Sequence, residues 1–162
     1  MTDILKTKYG VAIFLFKGKE VYLSQRMWNQ LHFSNMWQCI HGYVSGDYER
    51  YADAAVRIVK AETGIELTVA RLSYIKSFML SNEFYYTYFV HLKENEEPRK
   101  PTAKDLTLRS AFTSFPLERA ASLPVVPGLE KMLKKSLSTL IRINTPPIIE
   151  DRNAWSCMAD YD

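Results

Sequence analysis

Residues 41–67 read HGYVSGDYERYADAAVRIVKAETGIEL, a loop carrying Gly42, Gly46 and Asp47 that runs into a stretch holding Arg57 and one well-placed carboxylate, Glu62. A glycine-bearing turn that opens a helix can aim backbone N–H groups and the positive end of the helix dipole at a phosphate. Chemistry on phosphates commonly adds a divalent ion, and magnesium takes hard oxygen ligands, often one or two carboxylates beside the substrate's own phosphates. Glu62 alone could help to hold one weakly bound ion. It falls short of the two or three ions that would neutralise a diphosphate and activate water together.

Other chemistry-bearing residues lie close in sequence. Cys39-Ile40-His41, with His32 upstream, invites a zinc reading, but the spacing is not that of a structural zinc site and no second cysteine pair exists. Trp28, Trp37 and Tyr43 flank the loop and are the candidates for a nucleobase platform. The aromatic run from Phe84 to Phe89 alternates as buried strands do, so core packing explains it better than base stacking. Lys131, Lys134 and Lys135 read as the wet side of a helix.

The elements that must position these residues follow from periodicity. Val11 to Phe16 and Val21 to Gln25, joined by Lys17-Gly18-Lys19, read as a β-hairpin, and Trp37 to Val44 as a further strand. Ala52, Ala55, Val56, Val59 and Thr63 repeat as one face of an amphipathic helix, with Gly64 placed as its C′ residue. Ile65 to Val69, Leu72 to Met79 and Glu83 to Leu92 read as strands, and the charged, proline-bearing stretch Glu94 to Lys104 as a loop. Ser110 to Phe115 reads as a strand and Pro116 to Ala121 as a short helix. Pro127 then opens a longer helix with an apolar stripe of Leu129, Met132, Leu133, Leu137 and Leu140. The expected fold class is α+β, a mixed sheet enclosed by helices in an α/β/α sandwich, with a domain over 1–142 and a tail over 143–162.

Composition bounds the rest. With 162 residues, 47% of them hydrophobic, the chain can bury a core as one domain. A net charge of +3 is too slight to argue for nucleic acid. Cys39 and Cys157, far apart and without a signal-like leader, are expected reduced in a cytoplasmic protein, and no apolar run is long enough to span a membrane.

Arg57, Val59, Glu62, Gly64 and Ile65 stand at the mutual spacing of R-E-U-x-E-E-x-G-U, where U is a bulky aliphatic residue. On these residues the chain resembles the Nudix hydrolase family. The hairpin "GVAIFLF…EVYLSQR", the segment "MWQCIHGYV" and the closing "RSAFTSFPLERAASLPVVPGLEKML" extend the resemblance over roughly residues 8–141. The resemblance implies a Nudix fold and cleavage of nucleoside-diphosphate-linked substrates with magnesium or manganese. It also implies that the family's three helix acids correspond to Ile58, Ala61 and Glu62, at i, i+3 and i+4. These three are expected to line one exposed groove beside the Gly42–Asp47 loop. Only Glu62 is acidic, so Glu62 is the expected metal ligand. Glu83 is the expected catalytic acid from outside the box, ahead of Asp47, Glu49 and Asp105. Arg57 is expected at the ligand, or in an ion pair with Asp47. Two functions follow: a binding module for a nucleotide, RNA or protein partner that has lost turnover, or a divergent hydrolase working through Glu62 and Glu83.

Overall fold

A computed structural model of the chain describes residues 6–80 and 82–144. Its centre is β1 (Lys8–Lys17), whose residues Gly10 to Phe16 are all buried. A strand covered on both faces reads as a continuous apolar run rather than an alternating one, which is how Val11 to Phe16 reads. Along one edge β1 pairs in parallel with β6 (Glu83–His91), from Lys8↔Glu83 to Phe16↔His91. Its other edge is shared. The first half pairs with β4 (Ile40–Tyr43) and the second with β2 (Glu20–Gln25), both antiparallel.

β3 (Trp37–Gln38) and β7 (Thr113–Pro116) pair with β2, and β5 (Ser73–Leu80) pairs with β6. Trp37 to Val44 is therefore not one strand. The chain changes partner at Cys39, β3 going to β2 and β4 to β1.

Two cores lie on the two faces of this sheet. Val11, Ile13 and Leu15 pack with Tyr88 and Val90 under α1 (Tyr51–Thr63). Ala12, Phe14 and Phe16 pack with Tyr85 and Phe89 under α3 (Leu117–Ala120) and α4 (Leu129–Asn144). The alternation expected of β6 is thus realised, one set of aromatics in each core. The architecture is α+β, a mixed sheet between helices, as expected.

α1 ends at Gly64, whose φ of 75° and N–H to Lys60 O make the left-handed cap expected there. Its buried face is turned from the expected stripe: Ala54 and Ile58 are buried, while Ala52 and Val56 are only partly so. The cause is Gly42. A Cβ on Gly42 would stand 2.7 Å from Ile58 Cδ1, so Ile58 fills the space that glycine leaves beneath β4. The expectation of Ile58 in an exposed groove is corrected on this ground.

Three further differences have local causes. Ile65 to Val69 forms no strand but an extended segment leading to a 3₁₀ turn at Val69–Arg71. The charged segment closes with α2 (Ala103–Leu108), opened by a reciprocal capping box between Thr102 and Asp105. α4 starts at Leu129, because Gly128 before it has a φ of 88° and Pro127 stands outside. Leu129, Met132 and Leu133 are buried as expected, while the Leu137 and Leu140 side chains lie outside the described residues. So do Cys157 and all of the 143–162 tail beyond Asn144. Among the described residues no helix is long and apolar enough to cross a membrane.

Candidate functional site

The site is assembled across three strands. Gly10 of β1 is in register with Tyr43 of β4 on one side and Tyr85 of β6 on the other. A Cβ on Gly10 would lie 2.7 Å from Gly42 O and 2.8 Å from Tyr85 Cε1, so only glycine lets the flanking residues close over that position. The two tyrosine rings approach to 6.4 Å between centroids, and both phenols donate to Glu83 at the start of β6. Tyr43 Oη lies 2.5 Å from Glu83 Oε1, and Tyr85 Oη donates to Oε2. Burial pushes the Glu83 carboxyl up, but the phenol hydrogen bonds, with Lys8 and His41 nearby, more than offset it. Glu83 is held below the ordinary carboxylate range. Burial and the same hydrogen bonds push the Tyr85 phenol well up. The group is an ionised carboxylate gripped by two neutral phenols.

Two residues along β1, Ala12 is in register with His41. His41 is solvent-accessible yet crowded, and this crowding is the main cause that lowers its pKa, partly offset by the Cys39 carbonyl. It stands at the waist between two recesses, both lined by Arg26, Gln38, Cys39 and His41. The first, about 480 Å³, holds Tyr43, Glu83 and Tyr85 above an apolar floor that includes Ala12, Phe14 and Phe78. The second, about 190 Å³, is lined by Ser24, Glu62, Asp105, Arg109 and Phe112 among others.

Arg109 dominates the second recess. Its Nε donates to Glu62 Oε2 at 2.9 Å, while Nη2 lies 2.8 Å from the same oxygen as an ion pair and donates to the Glu62 carbonyl at 3.2 Å. The guanidinium lies 4.2 Å from the Phe112 ring centroid, and its side chain is 7% exposed against 37% for Glu62. Glu62 is thus neutralised by a fixed cation from a distant part of the chain.

A divalent metal does not fit these residues. Ile58 is buried, Ala61 offers no side-chain oxygen, and Glu62 is engaged by Arg109. Among the described residues no three or more His, Cys, Asp or Glu side chains cluster as a metal site. Cys39 is buried, and that burial pushes its thiol up to about 12.

Of the expected site residues, Tyr43 and Glu83 share the first recess, and Glu62 lies in the second. Arg57 is exposed and ties down the loop: it donates to Glu49 at 2.7 and 3.0 Å and to the Tyr43 carbonyl at 2.9 Å. Its acidic partner is Glu49, not Asp47. Trp28 and Trp37, expected as a base platform, line neither of these two recesses. Trp28 is 77% exposed, and Trp37 packs edge-on against Phe115, 4.9 Å away. The sequence reading missed Arg26, Tyr85 and Arg109, and it weighed His41 only as a zinc ligand. Their common signal is indirect, since strand register and one loop bring them together.

A family model described as NUDIX domain matches residues 6–135. Solved structures agree. A mutT/nudix family protein from Listeria innocua superposes with a TM-score of 0.63 at 17% identity, covering 85% of this chain and 96% of its own. MutT of Aliivibrio salmonicida and Vibrio cholerae gives 0.66 at 17% identity, covering 83% and 99%. The NUDIX domain of Shewanella oneidensis NrtR, complexed with ADP ribose, gives 0.65 at 14% identity, covering 83% and 88%. No curated protein sequence matches the chain.

Proposed function

The chain belongs to the Nudix family, and from that premise we propose that it is a binding module for a nucleotide-derived ligand that has lost the family's metal-dependent turnover. The observation that carries this reading is the Arg109–Glu62 pair, which commits to a guanidinium the one box carboxylate that sequence had left for a metal. Catalysis by the family's hydrolases draws on divalent ions that polarise a diphosphate and activate water. No step of that kind is built on these residues.

What the recesses offer instead is binding. The first has the size of a small-molecule site and pairs an apolar floor with a few convergent polar groups. Arg26 supplies a positive charge at the waist. Its Nε and Nη1 donate to His32 O and Gln38 Oε1, each at 3.0 Å, and among the described residues no carboxylate pairs with it. A guanidinium held by neutral acceptors keeps its charge for a phosphate. That a domain of the same fold holds ADP ribose supports the ligand class. A cytoplasmic location, expected from the sequence, belongs to the same reading, and the free, buried Cys39 is compatible with it.

Titration calorimetry with ADP ribose and nucleoside diphosphates in chelator, beside a phosphate-release assay with magnesium and manganese, tests the proposal. The expected outcome is metal-independent binding without turnover. Metal-dependent hydrolysis that disappears in Glu62→Gln or Glu83→Gln would instead establish the divergent hydrolase. Absence of any small-ligand binding would turn the search to an RNA or protein partner.

A further inference from the structure

The hydrogen bonds around Glu83 restrict what its carboxylate can still accept. A carboxylate has about two acceptor sites on each oxygen. Tyr43 occupies one on Oε1, and Tyr85 occupies one on Oε2. Among the described residues no other donor reaches this carboxylate, so one site stays open on each oxygen, the pattern that two parallel N–H donors on one rigid edge complete.

We infer that the first recess selects a guanine nucleotide, with the Glu83 carboxylate accepting from the adjacent N1–H and N2–H of the base and Arg26 facing the phosphate. The inference rests on the nucleotide-binding reading above and names its ligand. Among the unmodified bases, guanine alone presents two adjacent donors on its pairing edge. Adenine offers one donor beside an acceptor nitrogen, and uracil one donor between two carbonyls that an ionised carboxylate repels. Hypoxanthine keeps N1–H but lacks the amino group. A cationic ligand is disfavoured, because Lys8 lies 5.4 Å from the Tyr43 ring centroid and Arg26 lines the same recess. The ligand therefore needs a neutral donor edge and an anionic end, which a nucleoside monophosphate has. Aromatic side chains complete the match: Phe78 and Tyr85, stacked at 5.3 Å, both line the recess, as does Phe33.

Calorimetry of the full chain with GMP, IMP, AMP and UMP in chelator tests this. A bidentate base contact discriminates by about tenfold or more, so GMP is expected to bind at least about tenfold tighter than IMP. Glu83→Gln replaces one acceptor oxygen by a donor and should erase the gap between GMP and IMP while both still bind. Tyr43→Phe keeps the ring and should narrow the gap, which provides a second variant if Glu83→Gln does not fold. Equal binding of GMP and IMP by the unaltered protein overturns the inference, as does a GMP preference that survives Glu83→Gln or a tighter fit for AMP or UMP. Equal binding of all four removes only the guanine selection. Failure of all four to bind while ADP ribose or a nucleoside diphosphate still binds removes the inference alone, and failure of all of these ligands removes the nucleotide-binding reading with it.

Discussion

Arg109 brings a permanent positive charge to 2.8 Å from Glu62, across 47 positions of the chain. Of the two, the guanidinium is the more deeply buried. The pair is therefore asymmetric: removing the acid strands a desolvated cation, with Asp105 at 3.8 Å as its only other carboxylate among the described residues. Breaking a buried pair from one side is costly because the partner charge is left uncompensated. Glu62→Gln should thus destabilise the fold by about 2 kcal/mol, on the scale of a buried charged hydrogen bond, as read by urea denaturation. A metal ligand standing free in a groove behaves in the opposite way, its amide variant stabilising or leaving the apoprotein unchanged. An unchanged urea midpoint would mean that the ion pair does not hold Glu62.

At the scale of elements, α1 is fixed at both ends by arginines. Arg57 joins the helix to the preceding loop through Glu49 and the Tyr43 carbonyl. At the other end, Arg99 donates to Ala61 O at 2.8 Å and Arg109 to Glu62 O at 3.2 Å. The last carbonyls of a helix lack intrahelical donors and carry the negative end of its dipole, so cations there are favourable. The first recess depends on a different contact, the closure of β4 and β6 over Gly10. Gly10→Ala would force a methyl against a backbone carbonyl and part the two tyrosines, since neither strand can yield without breaking its ladder. Overpacking of this kind costs about 1–3 kcal/mol. Loss of near-ultraviolet tyrosine ellipticity together with loss of nucleotide binding should accompany it. A variant that binds as before would show that the phenol clamp forms without the glycine.

Across the whole molecule, acid stability follows from two arginine-paired carboxylates, Glu96 and Asp105. Arg71 hydrogen bonds hold Glu96 down to about 2 from an ordinary 4.5. The Thr102 backbone N–H, followed by Arg99, holds Asp105 to about 2 from 3.8. Both folded values lie below the unfolded ones, so the stabilisation is complete above the unfolded values and is lost as pH falls through the folded values. The urea midpoint should hold steady down to about pH 4.5 and then drop steadily toward pH 2. Arg71→Met should flatten the part of this fall that belongs to Glu96. The same fall in Arg71→Met as in the unaltered protein would show that acid sensitivity arises elsewhere.

Local sequence pattern determined much of this protein. The double-faced β1, the alternating aromatics of β6 and the Gly64 cap of α1 all follow from periods and residue preferences that neighbouring residues decide together. The box spacing of Arg57, Glu62 and Gly64 carried the family with it. Even α2 was legible in principle, since the capping box of Thr102 and Asp105 is a local signal. Tertiary structure alone decided the chemistry of the site. Ile58 turned inward because Gly42, sixteen positions earlier, leaves a space that an alkyl chain fills. Glu62 lost its availability to Arg109, and Glu83, already beside Tyr85 on its own strand, gained a second phenol from Tyr43 of β4. Each of these depends on register between strands or on where a loop returns. A side chain's charge partner is set by distance in space, which periodicity along the chain does not encode.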